Sequence, residues 1–184
     1  MLFARILALL VTLLTLSGSL AEASVVDRVV AVVDTQVVLA SDIELGSELS
    51  RIDPSPVPYW TRGPAVGGAE QRQIDAAILR AAAGDVALYE PEQDAIRARM
   101  EALRGRFESR ADWTAFLARW GLDESTMAGV LKRRMVVEAY LQRNLQSSPS
   151  AAPTWNAECT ALLEELRPRV RVRRVPAPAP EAAP

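Results

Sequence analysis

The sequence predicts a mainly α-helical module with a small N-terminal β-hairpin and a C-terminal strand, and three observations carry this. Two β-branched runs, Val29 to Val33 and Val37 to Leu39, flank a polar break at Asp34 to Gln36. Apolar residues then recur at spacings of three and four through most of the chain, the period of a helix with one buried stripe. Near the end, Arg169 to Val175 alternates arginine with valine, the period of a strand with one wet face.

The chain opens with Arg5, an apolar run from Ile6 to Leu16, small residues at Ser17, Gly18 and Ser19, and then Ala21-Glu22-Ala23. One early positive charge, a short apolar stretch and an Ala-x-Ala site form the layout of a cleavable secretory signal, expected over residues 1–23. The apolar run falls well under the roughly 20 residues a membrane span needs, so no integral span is expected after cleavage.

The hairpin should hold two largely buried strands from Val25 to Ala40 around a tight turn. Ser41 and Glu44 have the spacing of a capping box, in which a hydroxyl takes a free backbone N–H and a carboxylate reaches back to the cap amide. Ile43, Leu45, Leu49 and Ile52 give the first helix its apolar side, and it should stop before Pro54. From Asp53 to Gly68, four prolines and three glycines predict an extended loop. That loop carries Tyr59 and Trp60, a pair that either folds back into the core or stays exposed for a partner.

A second helix is predicted from about Ala69 to Ala83, stopped by Gly84. The third should begin near Glu90 with Pro91 in its first turn, and it carries Ile96, Met100, Leu103 and Phe107. Ser109 caps a short helix with Trp113, Phe116, Leu117 and Trp120, closed by Gly121, and Asp123 caps a long one to about Leu145. Gln146 to Pro153 is a linker rich in serine, alanine and proline, and Thr154 can cap a last helix to about Leu166. For the Arg-Val run a disordered basic tail competes with a strand. Residues 176–184 should be an extended Pro/Ala-rich tail.

Composition narrows the chemistry. Twenty-one basic and 23 acidic residues nearly balance, which gives no electrostatic case for nucleic acid. The chain has no histidine, so the commonest general base and transition-metal ligand are missing, along with every Ser-His or Cys-His pair. Most acids sit on helices beside arginines, where a solvated face is the default. Cys159 is the single cysteine, so no internal disulfide can form, and plain packing competes with thiol chemistry for its role. Gly67-Gly68 has no Lys-Ser or Lys-Thr after it, so it makes no phosphate loop. No enzyme site, cofactor or metal site is expected.

The run from Val25 to Glu44, a valine-rich hairpin followed by Ser41-Asp42, resembles the opening of mature SurA-type periplasmic chaperones. The stretch Phe107 to Leu141 is similar to the family's later part, a short aromatic-bearing helix ending in Gly121-Leu122 before a long helix rich in arginine and methionine. The last helix and its Arg-Val strand resemble the family's C-terminal element. The family usually carries one or two parvulin-type isomerase domains between these parts. Here only the 147–153 linker stands in that place, and the histidines of parvulin sites are missing, so isomerase activity is not implied. The Pro-rich loop has no match in the family pattern.

The resemblance implies a chaperone module over residues 24–146, a linker over 147–153, and a C-terminal helix and strand over 154–175 that pack back on the module, the strand joining the N-terminal hairpin. It implies a periplasmic holdase for unfolded outer-membrane or secreted polypeptides, working as a monomer. Adaptable or aromatic side chains suit such binding, and Trp60, Met100, Trp113, Trp120, Met127 and Met135 are the candidates, each with a core-packing alternative. The competing function is a non-catalytic envelope subunit that binds one folded partner through Tyr59 and Trp60.

Overall fold

The computed structural model describes residues 27–62 and 68–176. The signal-like start, Val25 and Val26, residues 63–67 of the Pro-rich loop and residues 177–184 of the tail lie outside the described residues.

Strands β1 (Val29–Val33) and β2 (Gln36–Leu39) form the hairpin, with Val32 opposite Val37 and Val33 opposite Gln36. Asp34 turns the chain at φ 51°, a left-handed conformation that a short polar side chain tolerates better than most. Its backbone N–H donates to the Arg171 carbonyl at 2.8 Å, and its carboxylate accepts the Arg171 N–H at 2.8 Å. One turn residue therefore both closes the hairpin and docks the end of the chain. Strand β3 (Val172–Arg174) pairs antiparallel with β1, placing Val172 opposite Val33 and Arg174 opposite Ala31, so the order is β2-β1-β3. The strand reading of the Arg-Val run holds, and the strand is shorter than the alternation suggested.

Helix α1 (Ala40–Ile52) begins one residue before the cap read from sequence. Asp27 takes both the backbone N–H and the hydroxyl of Ser41, so that hydroxyl is not free to cap. Asp42 reaches back to the Leu39 N–H at 3.0 Å instead, and Glu44 is exposed. The Pro-rich loop contains a one-turn helix, α2 (Tyr59–Arg62), where only extended chain was expected. The stabilising partner is tertiary: Tyr59 and Trp60 are each 2% exposed and meet edge to face at 4.8 Å, and the Tyr59 hydroxyl donates to the Arg72 carbonyl at 2.9 Å.

Helix α3 (Gly68–Ala83) is the hub, packing on the hairpin, α1 and the two later helices at Glu124–Asn144 and Ala152–Leu166. Gly84 ends it at φ 56°, as a left-handed stop requires. Helix α4 (Gln93–Arg104) starts later than predicted. A 3-10 turn at Ala87–Tyr89 precedes it, and Glu90, held extended before Pro91, pairs with Lys132 at 2.6 Å. Helices α5 (Arg110–Arg119) and α6 (Glu124–Asn144) carry the predicted caps, Ser109 accepting from the Asp112 N–H and Asp123 from the Thr126 N–H. Helix α7 (Ala152–Leu166) starts ahead of Thr154 because Pro153 fits its first turn. The linker before it is anchored, with Glu158 accepting from the backbone N–H groups of Gln146 and Ser147.

Two apolar clusters result. One joins the sheet, α2, α3, the C-terminal half of α6 and α7, with Trp155 and Cys159 fully buried. The other joins α1, α4, α5 and the N-terminal half of α6 around Leu49, Leu103, Trp113 and Met127. Helix α6, about 31 Å long at 1.5 Å per residue, runs through both. Among the described residues no helix is long and apolar enough to cross a membrane.

Deleting residues 169–184 removes β3 and the Asp34 anchor. The expected melting temperature falls by about 5 °C or more, the shift that roughly 2 kcal/mol produces in a chain of this size. An unchanged melting temperature in a calorimetric scan would contradict the pairing's contribution to stability.

Candidate functional site

Arg134 occupies a position where the stripe of α6 calls for an apolar residue, three after Leu131 and three before Val137, both of them buried. Its side chain is 5% exposed, and a charge there is unfavourable unless it is paired. Three partners answer this. Its Nε donates to Asp53 Oδ2 at 3.0 Å. Its guanidinium lies over the Trp60 ring at 4.0 Å from the centroid, a cation–π contact strengthened by desolvation. Arg99 from α4 completes the group, donating to both Asp53 oxygens at 2.5 and 3.0 Å and to Glu138 Oε1 at 3.0 Å. Ser55 donates to the same Glu138 oxygen at 2.7 Å.

The result is a buried cluster of two arginines and two carboxylates, without net charge, that ties the end of α1 to α4 and α6. Burial lowers the pKa of Arg134, and Asp53 and Glu138 oppose that only in part. For Arg99 burial also acts downward, but the bonds to Asp53 and the charge of Glu138 outweigh it and the pKa rises. Burial pushes Glu138 above the usual carboxylate range despite Arg99 and Ser55. The solvated face expected for most acids therefore fails at Asp53 and Glu138, and again at Asp75. Asp75 is 2% exposed and accepts from Gln71 at 2.8 Å and from Arg167 at 3.1 Å.

Over this cluster lies a groove of about 290 Å³ between β2, α1, α3 and α6. Val37, Val38, Leu45, Leu49, Val130 and Val137 give it apolar walls, and Arg80, Arg133, Arg134 and Asp42 are its charged groups. Arg80 is held by Gln36, its Nε donating to Oε1 at 2.7 Å. Burial first, and then Arg133, lower the Arg80 pKa, with Asp42 pulling the other way. Gly46 lets α1 approach closely here, since a Cβ at that position would fall 1.7 Å from the Gln73 amide nitrogen. A second cavity, of about 510 Å³, shares Gln36, Arg80 and Arg133 as walls and extends toward Asp34, Asp85 and Lys132.

Of the six residues singled out in the sequence, only Trp60 borders the groove. Trp113 and Met127 are fully buried in the second apolar cluster, and Met100 and Trp120 pack against it. The two indoles of that cluster are satisfied internally, Trp113 Nε1 donating to Glu124 at 3.1 Å and Trp120 Nε1 to Glu48 at 3.0 Å. Met135 is half-buried on α6 and borders neither cavity. Tyr59 and Trp60 fold back into the core, so their rings present no face to a partner. Arg80, Arg133 and Arg134, which do line the groove, were not selected. The readable signal was Arg134 standing on an apolar stripe. Cys159 is fully buried, and burial, with Asp75 nearby, pushes its thiol up to about 12, which leaves it un-ionised near neutral pH. Among the described residues no three of Cys, Asp and Glu converge in a way that could hold a metal ion.

The raised pKa of Glu138 has a sign that can be checked. The native state binds this proton more tightly than the unfolded chain, so its stabilising contribution is complete below the ordinary value of 4.5 and is lost as pH rises through the folded pKa. Relative to Glu138→Gln, the wild-type chain is expected to lose urea stability as pH climbs above that value. Parallel stability curves for the two proteins would contradict this. No known family model and no curated protein sequence matches this chain.

Proposed function

We propose that this chain is a non-catalytic chaperone of the bacterial periplasm, a holdase that takes short segments of unfolded outer-membrane or secreted polypeptides into the groove between β2, α1, α3 and α6. The observation that carries the reading is the pair of adjoining cavities that share Gln36, Arg80 and Arg133. A trough of that kind, with apolar walls and a rim of both charge signs, suits a stretch of chain with mixed side chains better than one compact substrate. The hairpin completed by the C-terminal strand is the arrangement implied by the resemblance to SurA-type chaperones, and it supports the same reading.

The described surface offers no broad apolar face as a competing client site. Val37, Val86, Leu88 and Val172 are its exposed large aliphatic residues, and only Val37 borders the groove. Binding is therefore expected to depend on the groove and to be weak for each segment.

The chain from Ser24 onward should suppress light scattering from a urea-diluted outer-membrane β-barrel protein at about equimolar ratio. Val37→Asp, which places a charge on the apolar wall at an exposed position, should reduce the effect without lowering the melting temperature by more than about 2 °C. Undiminished scattering at tenfold excess of folded protein, about ten chains per client by the same assay logic, would remove the proposal.

A further inference from the structure

Counted over its own lining residues, the groove carries more positive than negative charge, and Asp34, Asp85 and Glu90 line the adjoining cavity instead. Its charged lining residues are Arg80, Arg133, Arg134 and Asp42. Arg134 belongs to the neutral cluster with Asp53, Arg99 and Glu138, so it adds no net charge. Arg80 and Arg133 against Asp42 leave a surplus of one positive charge. Arg80 is bonded to a neutral amide, Gln36, and Arg133 makes no ion pair among the described residues.

A second, independent observation lies at the floor. Trp60 and Arg134 both line the groove and are 2% and 5% exposed, and Trp60 Nε1 and Arg134 Nη2 have no hydrogen-bond partner. A buried donor without a partner is unfavourable, and both of these belong to residues that line the groove. Around them are Val38, Leu45 and Val137. Basic donors and aliphatic carbons in one lining describe a ligand with one anionic end and one compact apolar end.

We propose that the groove is a recognition site for a single carboxylate attached to a compact aliphatic group, the chemistry that a polypeptide presents at a C-terminal residue such as valine or leucine. The guanidinium groups of Arg80 and Arg133 receive the carboxylate, and the aliphatic wall receives the side chain. The volume of about 290 Å³ holds one to two residues, so only the last positions of a chain enter. This deepens the holdase reading but does not need it, because a free aliphatic carboxylic acid presents the same chemistry.

The test is titration of the full chain from Ser24 onward, followed by calorimetry and by the indole resonance of Trp60, with four probes: N-acetyl-Ala-Val as free acid, the same dipeptide as amide, isovalerate and inorganic phosphate. The free acid is expected to bind, the amide at least about tenfold more weakly, which is a loss of about 1.4 kcal/mol. Arg133→Gln removes an exposed side chain, so the fold survives, and it should weaken the acid about fivefold or more. Arg143→Gln, about 15 Å further along α6 by the helical rise, should change nothing. Isovalerate binding as tightly as the dipeptide acid would assign the site to free acids, and weaker binding would assign it to chain ends. Equal binding of acid and amide, tighter binding of phosphate, or no saturable binding at about 10 mM ligand, a free energy weaker than about −2.7 kcal/mol, would overturn the proposal. Acid binding without suppression of client aggregation would leave the carboxylate site standing and remove the holdase.

Discussion

Asp53, Arg99, Arg134 and Glu138 form the contact that fixes how α1, α4 and α6 meet. Apolar packing tolerates exchanges of similar volume, so the two apolar clusters alone would leave latitude in how α1, α4 and α6 meet. Four buried charges tolerate little, because each must find its counter-charge at hydrogen-bond distance or bear the cost of desolvation. Arg99 grips both oxygens of Asp53, Arg134 takes one of them from another helix, and Glu138 closes the ring with help from Ser55. The cluster stands on α6 where that helix passes from one apolar cluster to the other. Its position fixes the register of both halves at once.

The groove inherits its floor from this cluster. The Arg134 guanidinium lies over the Trp60 ring, and Trp60, itself buried, keeps the one-turn helix at Tyr59–Arg62 folded against the core. Above them, α3 supplies Arg80 and Gln73, α1 supplies the glycine that admits Gln73, and β2 supplies Gln36. The hairpin that carries β2 is held by the far end of the chain through Asp34 and β3. Sheet, hub helix and charge cluster are therefore three supports of one wall. The floor of the groove is thereby tied into the core, whereas Arg133 at its rim is exposed.

The parts of the fold set by local chemistry were legible in the sequence. Ser109 and Asp123 cap the helices they precede, Gly84 and Gly121 stop theirs at positive φ, and the valine runs around Asp34 make the hairpin. The C-terminal alternation favours a strand over a disordered tail, and the expectation that it pairs with the hairpin rests on the family resemblance. What the sequence hid was set by partners far along the chain. Ser41 is taken by Asp27 across the hairpin, and α2 exists because Tyr59 and Trp60 find a buried site. The groove was missed for the same reason. Aromatic and methionine side chains drew attention as binding groups, yet their own apolar area drives most of them into the core. The arginines that line the groove read as one more solvated face.

A double-mutant cycle on Asp53→Asn and Arg134→Met, read by urea unfolding at neutral pH, tests the role of the charge cluster most directly. Each single change leaves the buried cluster with an unbalanced charge and is expected to cost about 3–5 kcal/mol, whereas the double variant should lose less than the sum by about 1–3 kcal/mol. Single changes that cost under about 1 kcal/mol, or strict additivity within about 0.5 kcal/mol, would contradict it.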